Sequence, residues 1–208
     1  METQKLTLNN ILWGLIIPVI VGLIIIAFAT VIRTFLVSSL PGDSPIPHIL
    51  TFGFAQMILF GVPLMLGLLW NKWAGGAAGF IMGTFYYIAM AGYSTVTYLQ
   101  YQMTVNFYAD ASLFVYIITG ILMGYIGGAL NNKSSSLKRM LGAGLTASIT
   151  TGLIMYLVNT QLAIEQSRSM ALADPLYSFF LTLFPQVILG ILVPIIARIS
   201  VGSELWHP

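Results

Sequence analysis

Apolar positions along this chain come in unbroken runs rather than in alternation. Six runs stand out, at Ile11–Leu36, Ile49–Trp70, Ala74–Val96, Ala111–Leu130, Met140–Asn159 and Tyr177–Ala197. Each is about 20 residues or longer, the length at which a helix rising about 1.5 Å per residue crosses about 30 Å of hydrocarbon. A strand of a membrane barrel needs only about 10 residues and alternates apolar with polar. The pattern therefore predicts an all-α integral membrane protein of six transmembrane helices, forming a single helical membrane domain over residues 1–208.

The breaks between the runs alternate in character. Ser38–His48 holds Pro41, Pro45 and Pro47 and cannot be helical throughout. Asn71–Trp73 is a tight turn, Thr97–Asp110 is longer, polar and aromatic, and Asn131–Arg139 is short and basic. Thr160–Leu176 is the longest of the late connectors. The opening Met1–Asn10 is polar with a single Lys, and the apolar run after it is too long for a signal-peptide core, so Ile11 onward reads as a retained first span.

Charge orients the spans. With six helices, one face collects Lys5, Lys72, Lys133, Lys138, Arg139 and Arg198, and the opposite face holds only Arg33 and Arg168. Lys and Arg favour the cytoplasmic side, so both termini are expected in the cytoplasm of a cell-membrane protein. The aromatics agree: Trp13, Trp70, Trp73 and Trp206 fall near the inner boundary, whereas Tyr93, Tyr98, Tyr101, Tyr108, Tyr116, Tyr156 and Tyr177 fall toward the outer one.

Composition adds exclusions. Charged residues make up 7% and hydrophobic ones 58%, with a mean hydropathy of +0.91, and such a chain cannot cover itself in water. There is no cysteine, and the two histidines, His48 and His207, lie in a loop and at the C-terminus. Thiol chemistry and histidine-rich metal or haem centres in the membrane are thereby excluded, and no cofactor or metal site is expected. The net charge of +2 gives no footprint for nucleic acid. No Asp, Glu, Lys or Arg sits in the middle of a span; Arg33 and Arg198 lie near ends and can snorkel. Proton-driven transport and intramembrane hydrolysis usually need such a group, so an enzyme is not expected.

Two features remain as candidates for function. Gly75, Gly79 and Gly83 form one stripe at four-residue spacing, Gly120, Gly124 and Gly128 form another, and Gly144, Ser148 and Gly152 nearly repeat it. Such stripes let helix backbones approach closely, either within the chain or against a partner subunit. Gln56 and Gln186, with Thr84, Thr119, Thr150 and Thr151, are expected to make hydrogen bonds between helices. The second feature is the outer polar and aromatic content. Tyr93, Tyr98, Tyr101, Asp110, Tyr156, Asn159, Glu165 and Arg168 are the candidate substrate-binding residues. Tyr rings can stack on a planar ligand while amides and carboxylates read its edge. Convergence of Tyr98, Tyr101, Asp110, Asn159 and Glu165 beneath the Pro-rich first loop is expected; a solvated loop above a Tyr belt is the plainer alternative.

Three stretches carry a resemblance to a known family. Trp73-Ala-Gly-Gly-Ala-Ala-Gly79-Phe-Ile-Met-Gly83 is similar to the Gly-rich third helix of the substrate-binding S components of energy-coupling-factor (ECF) vitamin transporters. Ile117-Ile-Thr-Gly120-Ile-Leu-Met-Gly124-Tyr-Ile-Gly-Gly128 resembles their fourth helix, and Phe184-Pro-Gln-Val-Ile-Leu-Gly190-Ile-Leu-Val-Pro-Ile-Ile their last. The resemblance implies capture of a vitamin-like small molecule from outside the cell. It also implies a membrane coupling subunit and cytoplasmic ATPases as partners. The family commonly docks its coupling subunit through an Ala-x-x-x-Ala arrangement on the first helix; here that span offers Gly14, Gly22, Ala27 and Ala29 at other spacings. The competing expectation is a non-catalytic structural or assembly subunit of a larger membrane complex.

Overall fold

The computed structural model describes Ile16, Val19, Ile20 and residues 55–100, 111–162 and 174–202. Five helices run through them: α1 (Ala55–Leu69), α2 (Lys72–Gln100), α3 (Val115–Asn131), α4 (Leu137–Gln161) and α5 (Pro175–Gly202). A short 3-10 turn, Ala111–Phe114, leads into α3. The first predicted span and the Pro-rich loop lie outside the described residues, apart from Ile16, Val19 and Ile20.

Local chemistry sets the helix ends. Asn71 Oδ1 accepts the Trp73 and Ala74 N–H groups at 2.9 and 2.8 Å, so α2 begins already at Lys72 rather than at Ala74. At the start of α5, Asp174 Oδ1 accepts the Tyr177 N–H at 3.0 Å, and Pro175 takes the first helical position, where a missing N–H costs nothing. α3 ends where Asn132 turns left-handed, with φ 48° and its N–H donating to the Gly128 carbonyl. The basic connector is correspondingly shorter than the sequence suggests, since Leu137–Arg139 already belong to α4. α2 also runs on past the predicted end at Val96, to Gln100.

α1, α3, α4 and α5 pack side by side in a closed four-membered ring, each on its two neighbours, and α2 lies outside the ring against α1 and α3. The α2–α3 contact is the most extensive, followed by α4–α5. The core is apolar: Leu59, Phe60, Leu64 and Leu68 of α1 meet Met123 of α3, Met140 and Met155 of α4, and Leu189 and Val193 of α5.

The glycine stripes lie in these contacts. Gly67, Gly75, Gly124 and Gly128 bring α1, α2 and α3 together at one node. A Cβ on Gly75 would stand 2.7 Å from both the Gly124 oxygen and the Gly67 Cα. A Cβ on Gly128 would stand 2.6 Å from the Lys72 Cα. One turn at a time the stripe continues, Gly79 on Gly120 and Gly83 on Tyr116 and Ile117. On α4, a Cβ at Gly144 would meet Pro194 at 2.6 Å and the Gly190 oxygen at 2.7 Å, while one at Gly152 would meet Leu183 at 2.8 Å. These pairs fix antiparallel register for α2 on α3 and for α4 on α5.

The threonine hydroxyls bond chiefly within their own helices, and of the expected threonines Thr151 also reaches across to another helix. Thr84, Thr119 and Thr151 donate to the carbonyls of Phe80, Val115 and Ala147, each one turn back in its own helix. A β-branched hydroxyl reaches that carbonyl without leaving its helix, and it needs no partner across the interface. Across helices, Ser148 and Thr151 Oγ approach the Met123 sulfur at 3.5 and 3.7 Å.

α3 with its leading turn (Ser112–Asn131), α4 and α5 (to Ile199) are each long and apolar enough to cross a membrane. Their outward faces are apolar too: Leu153, Leu157, Phe180, Phe184, Ile191 and Ile195 are all exposed. A surface of this kind suits lipid better than water.

Candidate functional site

The register of the helices gives the bundle two chemically distinct ends. α1 finishes and α2 starts at the same end at which α3 finishes and α4 starts, because Asn131 Nδ2 donates to the Leu68 carbonyl at 2.9 Å. With Gly144 level with Pro194, Arg198 lies one turn further along, level with the start of α4. Lys72, Lys133, Lys138, Arg139 and Arg198 therefore share one end, and they are all the cations among the described residues. The single carboxylate among those residues, Asp174, lies at the other end, where it opens α5.

At the basic end, the Lys72 ammonium lies 5.8 Å from the Trp73 ring centre and 5.6 Å from that of Tyr125. The two rings meet edge to face at 5.4 Å. Arg139 Nε donates to the Leu130 carbonyl at 3.0 Å, bracing the start of α4 against the end of α3.

The opposite end carries the candidate ligand residues, and the structure locates some of them. Tyr156 and Asn159 share one side of the last turns of α4. The Tyr156 hydroxyl donates to the Pro175 carbonyl at 3.4 Å, and its ring stands perpendicular to Phe179 at 5.2 Å. Asn159 is half-buried. Tyr93 and Tyr98 fall on the last turns of α2, with their side chains outside the described residues. Tyr101, Asp110, Glu165 and Arg168 lie outside the described residues altogether. α3 stands between α2 and α4, so a pocket shared by their tyrosines has to open across the first turn of α3.

That first turn meets aromatics of α2, and of the four residues involved only Tyr116 stood out in the sequence, as an outer-boundary tyrosine and not as a ligand candidate. Tyr86 and Tyr116 meet edge to face at 4.7 Å, and Tyr87 stacks on Phe114 at 4.8 Å. Their signal was present: Tyr86 follows Gly83 by three residues, which extends the stripe of α2 that faces α3.

Between the two ends lies a neutral polar layer. Gln186 of α5 is 1% exposed and packs beside Gly152 of α4, and its Oε1 has no hydrogen-bond partner among the described residues. No cluster of His, Cys, Asp or Glu able to hold a metal ion occurs among the described residues. Chemically, the described bundle offers stacking, single hydrogen bonds and close packing, with charge confined to its ends. Comparisons with protein-family profiles, with characterised proteins and with solved structures gave no match.

Proposed function

We propose that this chain is a six-span membrane protein with both termini in the cytoplasm, acting as the substrate-binding subunit of an ATP-driven uptake transporter for a vitamin-like micronutrient. The observation that supports this reading best is the two-ended bundle. The cations gather at one end, Tyr156, Asn159 and Asp174 mark the other, and no Asp, Glu, Lys or Arg of the described residues lies between them. The basic end faces the cytoplasm in this reading, as Lys and Arg favour. The aromatic end faces outward and receives the ligand on Tyr93, Tyr98, Tyr101, Asp110, Tyr156, Asn159, Glu165 and Arg168.

The chain itself performs no chemistry in this scheme. Hydrolysis of ATP belongs to cytoplasmic partners, reached through a membrane coupling subunit. The glycines of α2 and α3 cover one another, so a coupling subunit docks on another surface of the bundle. The exposed apolar faces of α4 and α5 offer such a surface.

The experiment is purification of the full chain from its own membranes, with identification of co-purifying proteins and small molecules by mass spectrometry. The reading expects an ATPase pair, a membrane coupling protein and a bound micronutrient. A fixed complex lacking any ATPase and any small molecule would replace it with the structural-subunit alternative.

A further inference from the structure

We propose that the α3–α4 hairpin at the basic end binds the phosphate of an anionic phospholipid. This rests on the membrane reading above and not on transport. Lys133, Lys138 and Arg139 are all exposed and fall within one short hairpin between two helices long enough to cross a membrane. None of the three forms an ion pair among the described residues, and no described carboxylate lies at that end. Among the described residues Arg139 makes one side-chain hydrogen bond, from Nε to the Leu130 carbonyl, which holds its guanidinium at the hairpin and leaves the remaining N–H donors for an anion. The backbone at Lys133 is set by the turn: Asn132 and Lys133 are both left-handed, at φ 48° and 59°, and the Ser134 N–H donates to the Asn131 carbonyl at 3.0 Å. The first turn of α4 adds N–H groups that the Ser136 side chain does not cap.

What selects a lipid over a soluble anion is the apolar flank. Leu130 and Leu137 are 45% and 39% exposed beside the cations, where acyl chains would lie. Trp73 and Tyr125, under the Lys72 ammonium, mark headgroup depth at the same end. A free phosphate would use the charges and leave those side chains in water. Anionic lipid uses both, and cations near such a surface each strengthen binding several-fold.

The test is retention of added lipid by the purified full chain in neutral detergent, read by native mass spectrometry. Phosphatidylglycerol, phosphatidylcholine and inorganic phosphate serve as probes. Wild type should retain phosphatidylglycerol in preference to phosphatidylcholine, and millimolar phosphate should not displace it. The K133Q/K138Q variant, which leaves the Arg139 brace intact, should weaken that preference by about tenfold or more, whereas R198Q should not. Equal retention of the two lipids, displacement by phosphate, an unchanged K133Q/K138Q or an equal loss in R198Q would each overturn the assignment. Should K133Q/K138Q fail to fold, the wild-type lipid preference and the phosphate arm decide alone.

Discussion

Gly79 and Gly120 stand backbone to backbone where α2 crosses α3. A Cβ added to Gly120 would lie 2.7 Å from the Gly79 oxygen, and one added to Gly79 would fall on the Gly120 carbonyl itself. No rotamer change relieves a clash with backbone, so the helices themselves have to part. In a membrane, where apolar surface gains nothing by leaving lipid for protein, that close approach is a main source of helix association.

Gly79→Val should accordingly destabilise the fold by about 1–3 kcal/mol or more, the range of an overpacked interior. Gly142, with nothing within 4 Å of its Cβ position, is the matched control. Gly142→Ala should be neutral or stabilise by about 0.5–1 kcal/mol through helix propensity alone. Unfolding in detergent, by heat or by denaturing surfactant, should come earlier for Gly79→Val and no earlier than wild type for Gly142→Ala.

Asn131 closes a helix to which it does not belong. The carbonyls at the end of α1 have no partner within their own helix, and Asn131 Nδ2, wholly buried, supplies one to Leu68. Asn131→Ala should cost about 1–3 kcal/mol, the range for a buried acceptor left unpaired. Asn131→Asp should cost more, because an ionised carboxylate has no proton to give and is buried besides. The same unfolding assay ranks the two. Equal stability of wild type and Asn131→Asp would contradict the capping role.

Gln186 gives a prediction of opposite sign. Its buried Oε1 lacks a donor among the described residues, whereas Met is of similar length and asks for none. Gln186→Met should leave stability unchanged or raise it by about 1 kcal/mol. A loss of 2 kcal/mol or more would mean that the amide makes a bond essential to the fold.

The glycine stripes and the three long apolar helices α3, α4 and α5 were legible in the sequence because they rest on length and on a four-residue period, both local properties. Gly67 was not legible. Its one companion in α1, Gly61, is six residues away and makes no four-residue stripe, and only the meeting of three helices shows that Gly75 and Gly124 need Gly67 to be small. Helix ends shifted by a few residues for a similar reason, since Asn71 caps α2 with a side chain that hydropathy counts as loop. Thr84 and Thr119 misled because donation to the carbonyl one turn back leaves no trace in spacing, whereas Thr151 also reaches Met123 across the helices. Of the candidate ligand residues, only Tyr156 and Asn159 have described side chains, and they sit at the end opposite the cations.

That separation of ends is the central claim, and topology tests it most directly. The chain has no cysteine of its own, so one introduced thiol reports alone. Ser135→Cys in the α3–α4 hairpin and Gln161→Cys at the end of α4 are both exposed positions at opposite ends of one candidate span. A membrane-impermeant maleimide applied to intact cells should label Gln161→Cys and reach Ser135→Cys only after permeabilisation. Labelling of both in intact cells, or of Ser135→Cys alone, would contradict a membrane-spanning bundle with its basic end in the cytoplasm.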